Sequence, residues 1–403
     1  MLYPDKGEKP PRQAGIITGI ISWVKSLPPA LKFVLAVYIA VRITASMAAI
    51  AGGATVPNNV VIDAGGYHKP QYGKAFEAFF GVWERSDALW YSAIARDGYS
   101  PGNNSAAFFP LYPLLTGLLY RVTGLPLIIP ALLVANIAFV LALYCIYAIA
   151  LRYGDEESAK RTVWLQALFP GSLFLVAPYS EALFLACAAG AFLAAFNRRW
   201  WWAGILGGLA ALTRIYGVLL FVPLVLQWLA QQRKERRDVD FIPLLLAPGA
   251  FFLLMAYWRG HSGDPLAFIH SQSGWLREWS LPWNTVVKGI GQAFLYGGSY
   301  PGGIFVIEAW SVIFALAAGV LVLARLPLPL SLYTWSVLLP PLVMPYGGNV
   351  FLSCTRFYSV AFPLFIVLAG LLKQRESDTA VKILFAALYG LSVALYVASQ
   401  NMF

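Results

Sequence analysis

The chain has 403 residues, a length that would hold two or three soluble domains. Composition excludes that: 59% of residues are hydrophobic and only 12% are charged, against about 25% in soluble proteins. The mean hydropathy is +0.66, and the net charge of +10 sits in short clusters between apolar runs, which fits orientation in a membrane and not a nucleic-acid partner.

Residues 1–30 are polar and dotted with Pro, and no small-residue cleavage site follows the first apolar stretch. Leu31–Ile50 therefore reads as an uncleaved first span. Further apolar runs cover 127–150, 162–178, 181–197, 203–229, 241–258, 302–324, 329–345, 357–372 and 380–399. Most have the ~17–25 residues that a helix needs to cross ~30 Å of hydrocarbon. With the N-terminus in the cytoplasm, the cytoplasmic segments collect roughly twice as many Lys and Arg as the opposite side. The larger set runs from Lys6, Lys9 and Arg12 through Arg152, Lys160, Arg161, Arg198 and Arg199 to Arg233, Lys234, Arg236 and Arg237, then Arg325, Lys373 and Arg375. The smaller includes Lys69, Lys74, Arg85, Arg259, Arg277, Lys288 and Arg356.

Segment 203–229 departs from simple alternation. Both flanks are basic, so both belong on the cytoplasmic side, yet 27 residues cannot make two spans of ~20 each. A short hairpin of half-length helices turning near Thr213–Gly217 satisfies both constraints, with Arg214 at its tip. Such a turn at membrane depth must be buried in protein or line a wet cavity. Two long loops lie opposite the cytoplasm. The first, about 51–126, ends in the amphipathic Ala106–Tyr120, read as an interfacial helix or a short dip; the second, about 259–301, is rich in Trp. The expected fold is an all-α polytopic membrane protein forming one domain over 1–403, with about nine full spans, a re-entrant hairpin and a large first external loop.

Three cysteines and three histidines, widely scattered, make neither a disulfide framework nor a zinc or His-rich centre. In the first loop, Asp87 follows Ser86 and precedes Ala88–Arg96. Two readings fit it: an N-cap for that helix, or a carboxylate at the mouth of a cavity, where partial desolvation suits a general base or metal ligand. Arg85 and Asp97 read as solvated charges, and Arg85 also as a substrate contact beside Tyr91. Arg214, Glu181 and Arg356 are costly at membrane depth unless paired or hydrated. Two guanidiniums near one lipid-facing cavity suit a lipid-phosphate head group, and the alternative is that Arg214, Arg356 and Glu181 simply pair with one another.

The run Asp87-Ala-Leu-Trp-Tyr-x-x-Ile-Ala-x-x-Gly98-Tyr99, then Ala107-Phe-Phe-Pro-Leu-Tyr-Pro-Leu-Leu115, resembles the GPI mannosyltransferase II (PIG-V) family and its prokaryotic relatives. So do Phe169-Pro-Gly-Ser-Leu-Phe174, Tyr179-Ser-Glu-Ala-Leu-Phe184, Gly208-Leu-Ala-Ala-Leu-Thr-Arg214, Thr355-Arg-Phe-Tyr358 and Phe362-Pro-Leu-Phe365. The resemblance covers roughly residues 80–225 and 350–370, and it departs at Ser86, where the family commonly has Trp. It implies a GT-C-type glycosyltransferase bundle of roughly eleven helices that moves a sugar, mannose in this family, from a polyprenyl or dolichyl phosphate, with inversion. The acceptor, a glycolipid or another glycan, is met on the non-cytoplasmic face. Asp87 takes the catalytic position, Arg214 and Arg356 the donor phosphate, and Glu181, Tyr179, Arg85 and Tyr91 substrate contacts. No cofactor is expected, since a dedicated divalent-cation site wants more than one strong carboxylate. The expected partners are the lipid-linked donor, the acceptor and membrane lipids; no protein partner is indicated. Short termini without a retention signal favour a prokaryotic plasma membrane. Two other readings remain: a GT-C enzyme using a different sugar carrier, and a transporter or flippase of lipid-linked sugars. The second would show inverted repeats, and no second copy of the hairpin is evident in the sequence.

Overall fold

The computed structural model describes residues 22, 25–55, 73–100, 102, 104–232, 238–298 and 303–398. Lys6, Lys9, Arg12, Lys69, Arg233, Lys234, Arg236 and Arg237 fall outside them. The described chain is helical throughout, with a single isolated antiparallel bridge between Arg277 and Tyr346.

The longer helices are α1 (Pro29–Thr55), α2 (Asp87–Asp97), α3 (Leu111–Thr123), α4 (Ile128–Ala150), α5 (Glu156–Leu168), α6 (Glu181–Phe196) and α7 (Trp200–Ala211). They continue with α8 (Phe221–Gln232), α9 (Leu246–Ser262), α10 (Pro282–Tyr296), α11 (Gly303–Arg325), α12 (Leu328–Val343), α13 (Pro363–Leu371) and α14 (Arg375–Ala398). Among the described residues, five helices are long and apolar enough to cross a membrane: Pro29–Gly53, Ile128–Ala150, Asp240–Ser262, Gly303–Arg325 and Arg375–Ala398. These are the helices of an integral membrane protein.

Two runs expected as continuous spans are broken. Residues 162–178 divide into α5, a turn at Pro170–Ser172 and a short helix Leu173–Val176, which then bends by 96° into α6. Residues 357–372 divide into the short helix Cys354–Tyr358 and α13. A proline stands at each break, Pro170 and Pro363, where the missing N–H and the ring disfavour helix continuing from the residues before it. The carbonyl freed at Val176 does not go unpaired. Arg42 Nη1 (3.1 Å) and Asn136 Nδ2 (3.0 Å) both donate to it, and the Arg42 guanidinium lies 4.7 Å over the Trp83 ring. Arg42, in the middle of α1, thus caps the broken helix at that backbone carbonyl.

The breaks let distant segments interlock. A Cβ on Gly171 would collide with the Thr355 carbonyl, so only glycine permits this approach of the Phe169–Ser172 turn to the Cys354–Tyr358 helix. Gln166 Nε2 donates to the Ser359 carbonyl at 2.8 Å, and Phe169 packs on Phe365 with ring centroids 5.3 Å apart.

The chain also breaks after α7. A short helix Tyr216–Leu219 follows, and α8 runs back so that Gln231 Nε2 reaches the Ala195 carbonyl at the end of α6 (3.1 Å). Gly217 sits so close to the Ala210–Ala211 backbone that any side chain would clash. The turn therefore falls at Leu212–Ile215, with Arg214 at its apex. Ala106–Tyr120 becomes a 3-10 turn, Asn104–Ala107, and α3, whose Leu114, Leu118 and Val122 point outward while Tyr112, Pro113, Thr116 and Gly117 face inward. The Leu111 amide donates to the Leu212 carbonyl (2.9 Å), joining this loop to the α7–α8 turn.

Candidate active site

Four segments far apart in sequence meet at one cavity of about 550 Å³. Its polar wall includes Asp87 and Tyr91 from α2, Arg214 from the α7–α8 turn, and Arg356 from the Cys354–Tyr358 helix. The rest is largely apolar, with Phe108, Phe109, Phe268, Ile269, Leu352 and the Pro340–Pro341 pair inside α12.

Asp87 is the first residue of α2, not its cap, and Ser86 in the cap position makes no side-chain bond to the helix. The Asp87 carboxylate instead accepts a hydrogen bond from Arg356 Nη1 and keeps 19% of its side chain exposed on the cavity. Of the two readings open for Asp87, the cap is thereby removed. Arg356 Nε donates to Glu181 Oε1, and Arg214 Nη1 donates to the same oxygen. Arg214 Nη1 also reaches Ser180 Oγ (3.3 Å), which shares a 2.7 Å hydrogen bond with the Tyr91 hydroxyl. Two carboxylates, two guanidiniums and two hydroxyls thus form one connected network.

The charges of this network balance, which is the condition for keeping them buried. Glu181 is wholly buried and Arg356 nearly so; unpaired, each would cost several kcal/mol. The Arg356 guanidinium lies 4.6 Å over the Tyr179 ring and 5.5 Å over Phe174, faces that favour a cation. Burial, reinforced by the nearby Glu181 charge, pushes the Tyr91 phenol up to about 12. It therefore stays a neutral hydroxyl, donor and acceptor at once, near pH 7.

The residues singled out from sequence divide three ways. Asp87, Tyr91, Arg214 and Arg356 line the cavity. Glu181 and Tyr179 stand behind it: Glu181 holds both arginines, while the Tyr179 ring supports Arg356 and its hydroxyl donates to the Arg85 carbonyl (3.1 Å). Arg85 is absent from the cavity wall; its Nη1 turns back to the Glu84 carbonyl (3.2 Å), and its own carbonyl also accepts from Tyr396 (3.3 Å). Its contribution to the site is that backbone anchor, so a substrate contact through its side chain is not carried forward. Asp97 pairs with Arg96 on the surface (2.9 Å).

Three participants escaped the sequence reading. Ser180 bridges Tyr91 and Arg214, a role that a serine before a helix does not advertise. Glu308, wholly buried within α11, accepts from the amides of Ser353 (3.0 Å) and Thr355 (2.7 Å) and from the Thr355 hydroxyl (2.8 Å), fixing the turn that leads into Arg356. A carboxylate inside an apolar run was the available signal there. Arg277, on the second long loop, lines the cavity without any local pattern to mark it. Among the described residues, no group of three or more His, Cys, Asp or Glu is placed to hold a metal ion.

No protein-family profile matches the chain, and no curated protein matches it in sequence. Several solved structures are similar in backbone. ArnT from Cupriavidus metallidurans bound to undecaprenyl phosphate shares 13% identity at a TM-score of 0.49, over 79% of this chain and 74% of that one. The Archaeoglobus fulgidus oligosaccharyltransferase in complex with Zn and sulfate shares 15% at a TM-score of 0.42, over 90% of this chain and 53% of that one. AglB from Archaeoglobus fulgidus, with an inhibitory peptide and a dolichol-phosphate, shares 14% at a TM-score of 0.40, over 91% and 56%. This chain matches only about half the length of the two archaeal structures. At such scores the likeness does not say which residues act, and the site stands on its own geometry.

Proposed function

We propose that this chain is an inverting, GT-C-type glycosyltransferase that moves a hexose from a polyprenyl-phosphate carrier to a hydroxyl of an acceptor on the non-cytoplasmic face of a prokaryotic membrane. The resemblance to the PIG-V family favours mannose as the hexose and a glycolipid or glycan as the acceptor. The observation that carries the reading is the convergence of Asp87, Arg214 and Arg356, through Glu181, on one largely apolar cavity.

In this mechanism Asp87 takes the proton of the acceptor hydroxyl as its oxygen bonds to the anomeric carbon. The bond from that carbon to the phosphate oxygen breaks through an oxocarbenium-like transition state, and the lipid phosphate leaves with the electron pair. Arg214 and Arg356, both held by Glu181 at the cavity wall, neutralise the growing phosphate charge. The apolar wall accepts the first isoprenes of the carrier.

The test is cleavage of polyprenyl-phosphate mannose by the purified protein in liposomes supplemented with a membrane glycolipid extract. Wild type is expected to release the polyprenyl phosphate, and Asp87→Asn to lose roughly a hundred- to ten-thousand-fold in turnover. A donor left intact but moved between leaflets would establish the transporter reading in its place. Near-normal cleavage by Asp87→Asn would remove Asp87 from the role of base.

A further inference from the structure

Phe357 is ringed by three guanidiniums. Arg214 lies 5.2 Å from its centroid, Arg277 5.6 Å and Arg356 5.7 Å. Arg214 and Arg356 have carboxylate partners in Glu181 and Asp87. Arg277 has none among the described residues: its Nη1 donates to the Met344 carbonyl (2.9 Å) and leaves the other donors of its fork unassigned. Around the ring, three cations thus face two paired carboxylates, and the surplus charge sits on the cavity wall. Glu308, the other buried carboxylate nearby, spends its oxygens on backbone amides and a hydroxyl.

The position of Arg277 is built. The stretch around it runs antiparallel to 343–347, bridged at Arg277 and Tyr346. Ser280 N donates to the Val343 carbonyl (2.8 Å), Glu278 N to that of Pro345 (3.2 Å) and Gly347 N to that of Leu276 (3.0 Å). Leu276, immediately before it, has φ of 49°, a left-handed conformation that residues with a side chain rarely adopt. Among the described residues four that are not glycine have positive φ; two of them line this cavity and a third adjoins Arg277. Ser86 precedes Asp87, Leu276 precedes Arg277, and Ser353 stands shortly before Arg356. Strain of this kind persists only where surrounding structure enforces it, and here it stands close before Asp87, Arg277 and Arg356, though not beside Arg214.

We infer that Arg277 is a further binding residue for an anionic substrate group, the third guanidinium that receives the phosphate of the lipid carrier. Arg214 and Arg356 balance the internal carboxylates; Arg277 supplies the positive charge that draws the anion in. This rests on the reading of the site as one for a polyprenyl phosphate, and it extends that site to the second long loop.

The test compares binding of undecaprenyl phosphate with that of the neutral alcohol undecaprenol to the full chain in nanodiscs. Wild type is expected to prefer the phosphate, and Arg277→Gln to lose about tenfold or more of that preference while its affinity for the alcohol stays unchanged. A merely structural role for Arg277 would weaken both lipids alike or neither. Arg277→Lys, which keeps a charge but not the fork, is expected to fall between the two; should Arg277→Gln not fold, an unchanged preference in Arg277→Lys overturns the inference. If wild type shows no preference for phosphate over alcohol, the sugar-transfer reading fails and this one with it. If wild type prefers phosphate and Arg277→Gln does so equally, only the role of Arg277 is overturned.

Discussion

At the scale of single residues, the network separates groups that hold the site from groups placed to act in it. Glu181 accepts from both Arg214 and Arg356 with no exposure to solvent. Replacing it by Gln leaves two guanidiniums without their shared anion, at a cost of about 3–5 kcal/mol. Glu181→Gln is therefore expected to lower the thermal unfolding midpoint in detergent sharply. Asp87→Asn, at a partly exposed position where Arg356 keeps its other partner, should leave that midpoint near wild type while abolishing turnover. Much of this was legible in the sequence, because an ionisable group in an apolar run is expensive and so announces itself. That logic found Glu181, Arg214 and Arg356, and applied to Glu308 it would have found that residue too. It could not find Arg277, because a charge in a loop carries no such penalty. Nor could it choose between the two readings of Asp87, which differ only in where the carboxylate points.

At the scale of elements, hydropathy located the apolar runs but not their continuity. Residues 162–178 and 357–372 are apolar enough to span, yet each breaks at a proline; the Phe169–Ser172 turn packs through Gly171 on Thr355 of the helix that precedes the second break. A windowed hydropathy reading sums apolar side chains; it does not register that the backbone groups freed at a break find partners elsewhere in the fold. Gly171→Val places a side chain against the Thr355 carbonyl and should destabilise by about 1–3 kcal/mol. Because Thr355 adjoins Arg356, the variant is also expected to raise the apparent KM for the lipid donor more than it changes the affinity for undecaprenol, measured by cleavage and lipid-binding titrations. An unaltered unfolding midpoint and KM would mean that the turn and the helix can part without consequence for the site. The helix breaks at Leu212–Ile215, within the stretch whose basic flanks and short length led to the expectation of a hairpin.

Over the whole molecule, the site has no single structural owner. Its parts come from the first long loop, the turn between α7 and α8, the second long loop and the segment after α12, and the Leu111–Leu212 and Arg277–Tyr346 backbone links stitch these together. The quoted motifs in the sequence mark three of the four. The second long loop carries none of them, so nothing in the sequence marked Arg277 as part of the cavity wall.

Arg356 serves Asp87 and Glu181 with one guanidinium. While it does so, the proposed proton acceptor is already engaged by a cation that an incoming phosphate would also attract. On the proposed mechanism, arrival of the carrier lipid would redirect that cation and free the carboxylate, so that the nucleophile meets a competent base only in a complex already occupied. A compulsory sequence is therefore expected under that mechanism, with the carrier lipid first and the accepting hydroxyl second. Product-inhibition kinetics should show spent carrier competing with fresh carrier at every concentration of acceptor, and a random-order pattern would refute this coupling.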